Sequence, residues 1–224
     1  MRLRFCLFPF ILLPLIAPAF GQANPAKEYI WEGSTLIASE ERVIYADVPY
    51  SDGAYPYVQI MAEMGITGGC SSSTYCPDQV VTRAQMAIFL LKAKYGSAYA
   101  PPAATGTAFT DVPANHWAAA WIEKFAADGI SAGCGSGIFC PDNSVTRLQM
   151  AVFLLKARWG AGHTPPSPTN YFFDDVPEGS TAAAWIYELA NSGITAGCQP
   201  NLYCPDMVVT RRQMAVFIVK TFNF

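Results

Sequence analysis

The sequence predicts an all-α protein: three helical-hairpin repeats that pack together as a pseudo-threefold bundle or a short solenoid. Three observations carry this. Six cysteines, at 70, 76, 134, 140, 198 and 204, fall into pairs whose first members lie 64 residues apart, the mark of an internal repeat. Each repeat ends in the same helix start, Val-Thr-Arg-x-Gln-Met-Ala, followed by an apolar stripe. Finally, 52% of the 224 residues are hydrophobic, enough for a sizeable core. One repeat lies near the lower size limit for folding alone, and two helices cannot hide both apolar stripes, so the repeats must bury them on one another. Long linkers favour the closed arrangement over a tight stack.

Taken in order, residues 1–21 read as a secretory signal peptide: a basic start (Arg2, Arg4), an apolar run from Phe5 to Ala17, and Ala19-Phe20-Gly21 as a small-x-small cleavage signature. Pro9, Pro14 and Pro18 argue against a membrane-spanning helix. Cys6 is expected to leave with the leader, so the mature chain keeps an even six cysteines. Residues 22–44 have too little apolar periodicity for a further domain and form a short leading segment. Repeat 1 spans 45–95, repeat 2 spans 109–159 and repeat 3 spans 173–224. Between them, 96–108 and 160–172 are rich in Pro, Gly, Ser and Thr and read as spacers without chemistry.

Within each repeat the helix starts are the best marked. Thr82, Thr146 and Thr210 stand where a hydroxyl can accept a first-turn amide, and Gln85, Gln149 and Gln213 complete a capping box. Met86, Phe89, Leu90 and Ala93 then recur on one face, with Lys92 and Lys94 in the last turn where they suit the helix dipole. Met150, Phe153 and Leu154, and Met214, Phe217 and Ile218, repeat the stripe. In the other helix of repeat 2, Trp117, Trp121 and Phe125 share a face, and Gly129-Ile130 reads as a left-handed cap with its hydrophobic contact. Core packing is assigned to Trp121, its register partners Tyr57 and Trp185, and the three methionines.

The Cys-x5-Cys pairs (Cys70 with Cys76, Cys134 with Cys140, Cys198 with Cys204) flank short turns, and in a secreted chain they are expected to be local disulfides. A zinc site needs four ligands, but each loop offers two thiols and the mature chain adds only His116 and His163, so no metal or other cofactor is expected. Asp78, Asp142 and Asp206 supply one carboxylate per loop, too few for calcium. No His–nucleophile arrangement and no phosphate loop is present, and Asp174-Asp175 reads as a turn feature, so the chain is not expected to be an enzyme. With 14 Lys+Arg against 17 Asp+Glu and no lysine-rich face, nucleic acid is not an expected partner. Charged content of 14%, against an ordinary ~25%, suggests a surface of small, hydroxylated and aromatic residues.

Phe109-Thr110-Asp111-Val112, Trp117-Ala118, Gly129-Ile130, Phe139-Cys140-Pro141 and Thr146-Arg147-Leu148-Gln149 together resemble the S-layer homology (SLH) domain. The other two repeats follow with small losses, so the likeness runs over about 45–224. Two departures stand out: Gln replaces the family's usual Glu at the three helix starts, and cysteines flank the loop where the family often carries Asp-Gly.

The resemblance implies a three-pronged, pseudo-threefold helical module that anchors proteins non-covalently to the bacterial cell envelope. In that family the usual ligand is a secondary cell-wall polysaccharide, often bearing pyruvate ketals, held in grooves between the prongs. Carried over, it makes Arg83, Arg147 and Arg211 anion readers, a role that suits a guanidinium beside free first-turn amides. It makes Asp47, Asp111 and Asp175 acceptors for sugar hydroxyls or orienters of those arginines. Trp117, whose register partners are Gly53 and Thr181, becomes an apolar groove wall in repeat 2 alone. The competing reading makes each arginine an intramolecular partner of a nearby Asp. The expected function is therefore cell-envelope anchoring through cell-wall polysaccharide or peptidoglycan, in a secreted protein of the cell surface or periplasm with no membrane span after the leader is cut. The alternative is a structural surface-layer or envelope protein acting through protein–protein contacts.

Overall fold

The computed structural model describes residues 27–32, 34–41 and 45–224; the leader assigned to 1–21 lies outside the described residues. The leading segment contains an antiparallel hairpin of β1 (Lys27–Glu32) and β2 (Thr35–Glu41), with a register irregularity at Ile30/Trp31. Too little apolar periodicity marks these strands in the sequence. The signal was a Gly-Ser step between two runs rich in β-branched and aromatic residues, which favours a tight hairpin.

The repeats themselves are helical. Three short helices, α1 (Tyr55–Glu63), α3 (Ala119–Ala127) and α5 (Ala183–Asn191), alternate with three longer ones, α2 (Arg83–Tyr95), α4 (Arg147–Trp159) and α6 (Arg211–Phe222). Each long helix opens with both halves of its capping box made: Thr82, Thr146 and Thr210 accept from the amides of Gln85, Gln149 and Gln213, whose side chains accept in return. The short helices have no side-chain cap and are too short to persist by propensity, so packing holds them. They stop at Gly65, Gly129 and Gly193, each at positive φ, where the next residue's amide reaches back five positions, as in Ile130 N–H to Phe125 O at 3.1 Å.

The helices pack in pairs, but each pair joins neighbouring repeats. Helix α2 lies on α3, α4 on α5 and α6 on α1, while α2, α4 and α6 meet in the centre. A repeat's own two helices do not pack on each other, which corrects the hairpin picture: the cysteine loop carries the chain out of one prong and into the next. At the centre the extended residues before the long helices close a ring. Val81 donates to Val209 O, Val209 to Val145 O and Val145 to Val81 O, each at 2.9 Å. A solenoid has no such closure, so the bundle is a closed pseudo-threefold body. Its core holds Val81, Val145, Val209, Met86, Met150, Met214, Leu90, Leu154 and Ile218, all fully buried. Tyr57, Trp121 and Trp185 pack against this core from its edge.

The linkers are fastened to the bundle. Glu123 on α3 accepts from the amides of Thr105 and Gly106 at 2.8 and 2.6 Å, and His163 meets Glu188 on α5 at 2.7 Å between Trp159 and Trp185. They are straps across their prongs. The three disulfides are formed as expected, each with Cα atoms 6.0 Å apart. The second cysteine of each pair, Cys76, Cys140 and Cys204, sits at φ 58°, a conformation that costs a non-glycine residue about 1–2 kcal/mol and that the bridge helps to hold.

Candidate functional site

The residues singled out by sequence meet at the three seams between repeats. Arg83 opens α2 of repeat 1 and extends into repeat 2: its Nε donates to Phe139 O at 2.7 Å, and Nη2 to Ser131 Oγ at 3.1 Å. The guanidinium also lies 4.8 Å above the Phe139 ring and 5.4 Å from that of Phe153. Arg147 does the same towards repeat 3, with Tyr203 O at 2.7 Å and Thr195 Oγ1 at 3.4 Å, and Arg211 towards repeat 1, with Tyr75 O at 2.7 Å and Thr67 Oγ1 at 3.5 Å. All three arginines are only 3–4% exposed. Burial pulls the pKa of Arg83 and Arg147 down, and the nearby carboxylates Asp111 and Asp175 respectively work against that shift. A guanidinium this basic stays charged through such a shift. Its charge is met by carbonyl dipoles and ring faces.

The first-turn amides that sequence reading left free for an anion are all occupied. Arg83 N–H and Ala84 N–H donate to Asn143 O and Pro141 O, both at 2.9 Å. Arg147 and Leu148 bond Met207 O and Pro205 O, and Arg211 and Arg212 bond Gln79 O and Pro77 O. The third amide of each turn goes to the capping threonine. Each helix N-terminus is thus capped by the cysteine loop of the next repeat, with the loop's carbonyls in the place a ligand oxygen would take.

The aspartates act one step behind the arginines. Asp111 accepts from the amides of Phe139 and Cys140 at 2.8 and 2.7 Å; Asp47 grips Tyr75 and Cys76, and Asp175 grips Tyr203 and Cys204, in the same way. The residue whose amide Asp111 holds is the residue whose carbonyl Arg83 holds. Asp and Arg therefore meet through one residue of the loop rather than as an ion pair. Partial desolvation pushes the Asp111 carboxyl up, but the bonds from Phe139 and Cys140, helped by the Arg83 charge, outweigh it and leave the group below its ordinary value. Trp117 lies apart from this machinery: it is 62% exposed at the start of α3, with His116 as a ring neighbour at 5.7 Å.

Three further sets of residues contribute that the sequence does not single out. Thr67, Ser131 and Thr195 take the arginine Nη2 atoms, and their signal was a hydroxyl directly after Gly-Ile in every repeat. Tyr75 and Tyr203 donate from their hydroxyls to the carbonyls of Arg211 and Arg147 at 2.9 and 2.8 Å, a bond that Phe139 cannot make. Arg212 bonds Asp52 and Asp78, each at 2.9 Å, and its register partners are Ala84 and Leu148. The cysteines expected from sequence, Cys76, Cys140 and Cys204, hold the loops that present the carbonyls. Among the described residues there is no cluster of three or more metal-ligating side chains, and no helix is long and apolar enough to cross a membrane.

Comparison with known proteins is consistent with this architecture. The S-layer homology domain model matches residues 44–87 and 108–151, which fall in repeats 1 and 2. Repeat 3 carries the same period, capping box, aspartate grip and disulfide. The chain is 33% identical over 118 residues to a cell surface protein of Thermoanaerobacter kivui, an alignment covering 50% of this chain and 16% of the relative. It is 27% identical over 123 residues to an S-layer protein of Bacillus anthracis, covering 55% and 14%. It is 29% identical over 113 residues to an endoglucanase of a Bacillus species, covering 50% and 11%. The matched region is thus a small part of each relative.

Proposed function

From the chain's membership of the S-layer homology domain family, we propose that it is a non-enzymatic anchoring module of the cell envelope that recognises cell-wall polysaccharide or peptidoglycan. The general role of the family is cell-wall anchoring, and relatives with surface and S-layer names support an envelope location. The observation that carries the reading is the threefold repetition of one rigid seam, which offers a repeating polymer three near-equivalent places to bind. At each seam the arginine and aspartate (Arg83 with Asp111, Arg147 with Asp175, Arg211 with Asp47) shape the groove by fixing the loop. Arg83, Arg147 and Arg211 act on the ligand through the loops they hold, because each is only 3–4% exposed and donates from Nε and Nη2 within the seam. Trp117 supplies a stacking surface in repeat 2.

Co-sedimentation of the oxidised protein with purified sacculi, before and after their attached polysaccharide is stripped, tests this. Binding lost on stripping identifies the polysaccharide, and binding retained identifies peptidoglycan. Absence of binding to both would overturn the glycan reading in favour of the second one, an envelope protein working through protein contacts. That second reading draws on the full internal use of the first-turn amides. Trp117→Ala is expected to weaken sedimentation several-fold with an unchanged melting temperature, since the side chain is exposed. The non-enzymatic assignment predicts no new reducing ends when purified wall polymer is incubated with the protein.

A further inference from the structure

The three prongs are not equivalent along the chain. Helices α2 and α3 are joined by one strap and α4 and α5 by the other, but α6 (Arg211–Phe222) and α1 (Tyr55–Glu63) come from opposite ends of the folded region. Their seam is made from the same bonds as the other two: Val81 N–H to Val209 O, Arg211 N–H to Gln79 O, Arg212 N–H to Pro77 O, and Arg211 Nε to Tyr75 O. It also has something they lack. Arg212, where the other repeats have Ala84 and Leu148, bonds Asp52 through Nη1 and Asp78 through Nη2, both at 2.9 Å. The seam without a strap is the seam with an ionic latch.

We propose that the α6–α1 seam is the opening point of the ring, latched by Arg212, and that a second copy of this chain is the partner that fits it, with α6 of one molecule taking the α1 and cysteine-loop face of the next. The contact is head-to-tail: the surface that α6 offers differs from the surface it meets. Such a contact can be satisfied within one chain or between two without any new chemistry. The other seams resist exchange because a covalent strap keeps their helices together at high effective concentration. Here only the rest of the ring and the latch favour the closed monomer. Arg212 is about one-third exposed and Asp78 is 81% exposed, so salt reaches the latch readily. The proposal stands independently of what the envelope ligand is.

The test uses the intact oxidised protein. Native-state hydrogen exchange is expected to show Arg211 and Arg212 amides exchanging about tenfold faster than their counterparts Arg83, Ala84, Arg147 and Leu148. Light scattering on Arg212→Ala, and on the unaltered protein in about 1 M salt, is expected to show dimers or longer chains that grow between about 10 μM and 1 mM protein. Mixing isotopically light and heavy Arg212→Lys chains and coupling them with a carbodiimide should then give mixed-isotope peptides joining Lys at 212 to Asp52 or Asp78. Equal protection at all three seams would overturn the proposal. So would a folded Arg212→Ala protein and a salt-treated parent that both stay monomeric throughout that range, or crosslinks found only within single chains.

Discussion

The seam between repeats 1 and 2 and the seam between repeats 3 and 1 do the same job with different means. At the first, Arg83 meets Phe139, whose ring has no hydroxyl, and the two helices of the prong are tied by residues 96–118. At the second, Arg211 meets Tyr75, whose hydroxyl returns a bond to Arg211 O at 2.9 Å, and Arg212 adds two ion pairs, but no strap connects α6 to α1. The strapped seam of repeats 2 and 3 also has the tyrosine bond, from Tyr203 to Arg147 O, so what sets the seam without a tie apart is the pair of Arg212 ion pairs. Near-identical repeats thus diverge first where chain connectivity breaks their symmetry, and a feature found in one repeat only is the place to look for it.

The largest expected effect attacks what all seams share. Arg147→Ala strands Tyr203 O and Thr195 Oγ1 in a buried seam and should cost about 3 kcal/mol in urea unfolding. Arg83→Ala and Arg211→Ala should cost about the same, and a small loss with abolished sacculus binding would instead make the arginines ligand contacts. Next in size is Asp111→Asn, which keeps one acceptor for two amides and should cost about 1–2 kcal/mol near neutral pH.

The same carboxylate sets an acid limit. Because its pKa is lower folded than unfolded, its stabilisation is fully present above the unfolded value of about 3.9 and is lost as pH falls through the folded one. A melting-temperature profile should therefore fall less steeply below about pH 4 in Asp111→Asn than in the parent.

Smaller effects sharpen the comparison directly. Tyr203→Phe should cost about 1 kcal/mol, and the reciprocal Phe139→Tyr, which can reach Arg83 O as Tyr203 reaches Arg147 O, should recover part of that amount. Failure of Phe139→Tyr to stabilise would show that the repeat 1–2 seam has relaxed around its phenylalanine. Smallest is the effect of Arg212→Ala on monomer stability at low protein concentration, about 0.5–1 kcal/mol and shrinking as salt is raised.

Much of this was legible locally. The 64-residue period, the Thr–Gln capping boxes, the Gly-Ile stops and the buried methionine stripe are short-range patterns, and each appears in the structure where the residues predict it. The hairpin of β1 and β2 was not legible, because Tyr29-Ile30-Trp31 and Leu36-Ile37-Ala38 are short apolar runs with neither helical nor strand period. The arginines were identified, but their setting was not. Whether a first-turn amide is free depends on what the next repeat lays across it, and no pattern within repeat 1 says that Asn143 and Pro141 arrive there.

By itself the sequence determined the all-helical repeats, their boundaries in capping chemistry, the three disulfides and the likeness to S-layer homology domains, because each depends on residues close together in the chain or on a fixed period. Only the tertiary structure decided which helix pairs with which, that the valine ring closes, and that Arg83, Arg147 and Arg211 are buried between repeats. An amphipathic helix specifies the face it must bury but not the partner that buries it. That choice falls to the packing of the whole ring, where three equivalent faces compete for three equivalent partners and the geometry of the cysteine loops selects the neighbour.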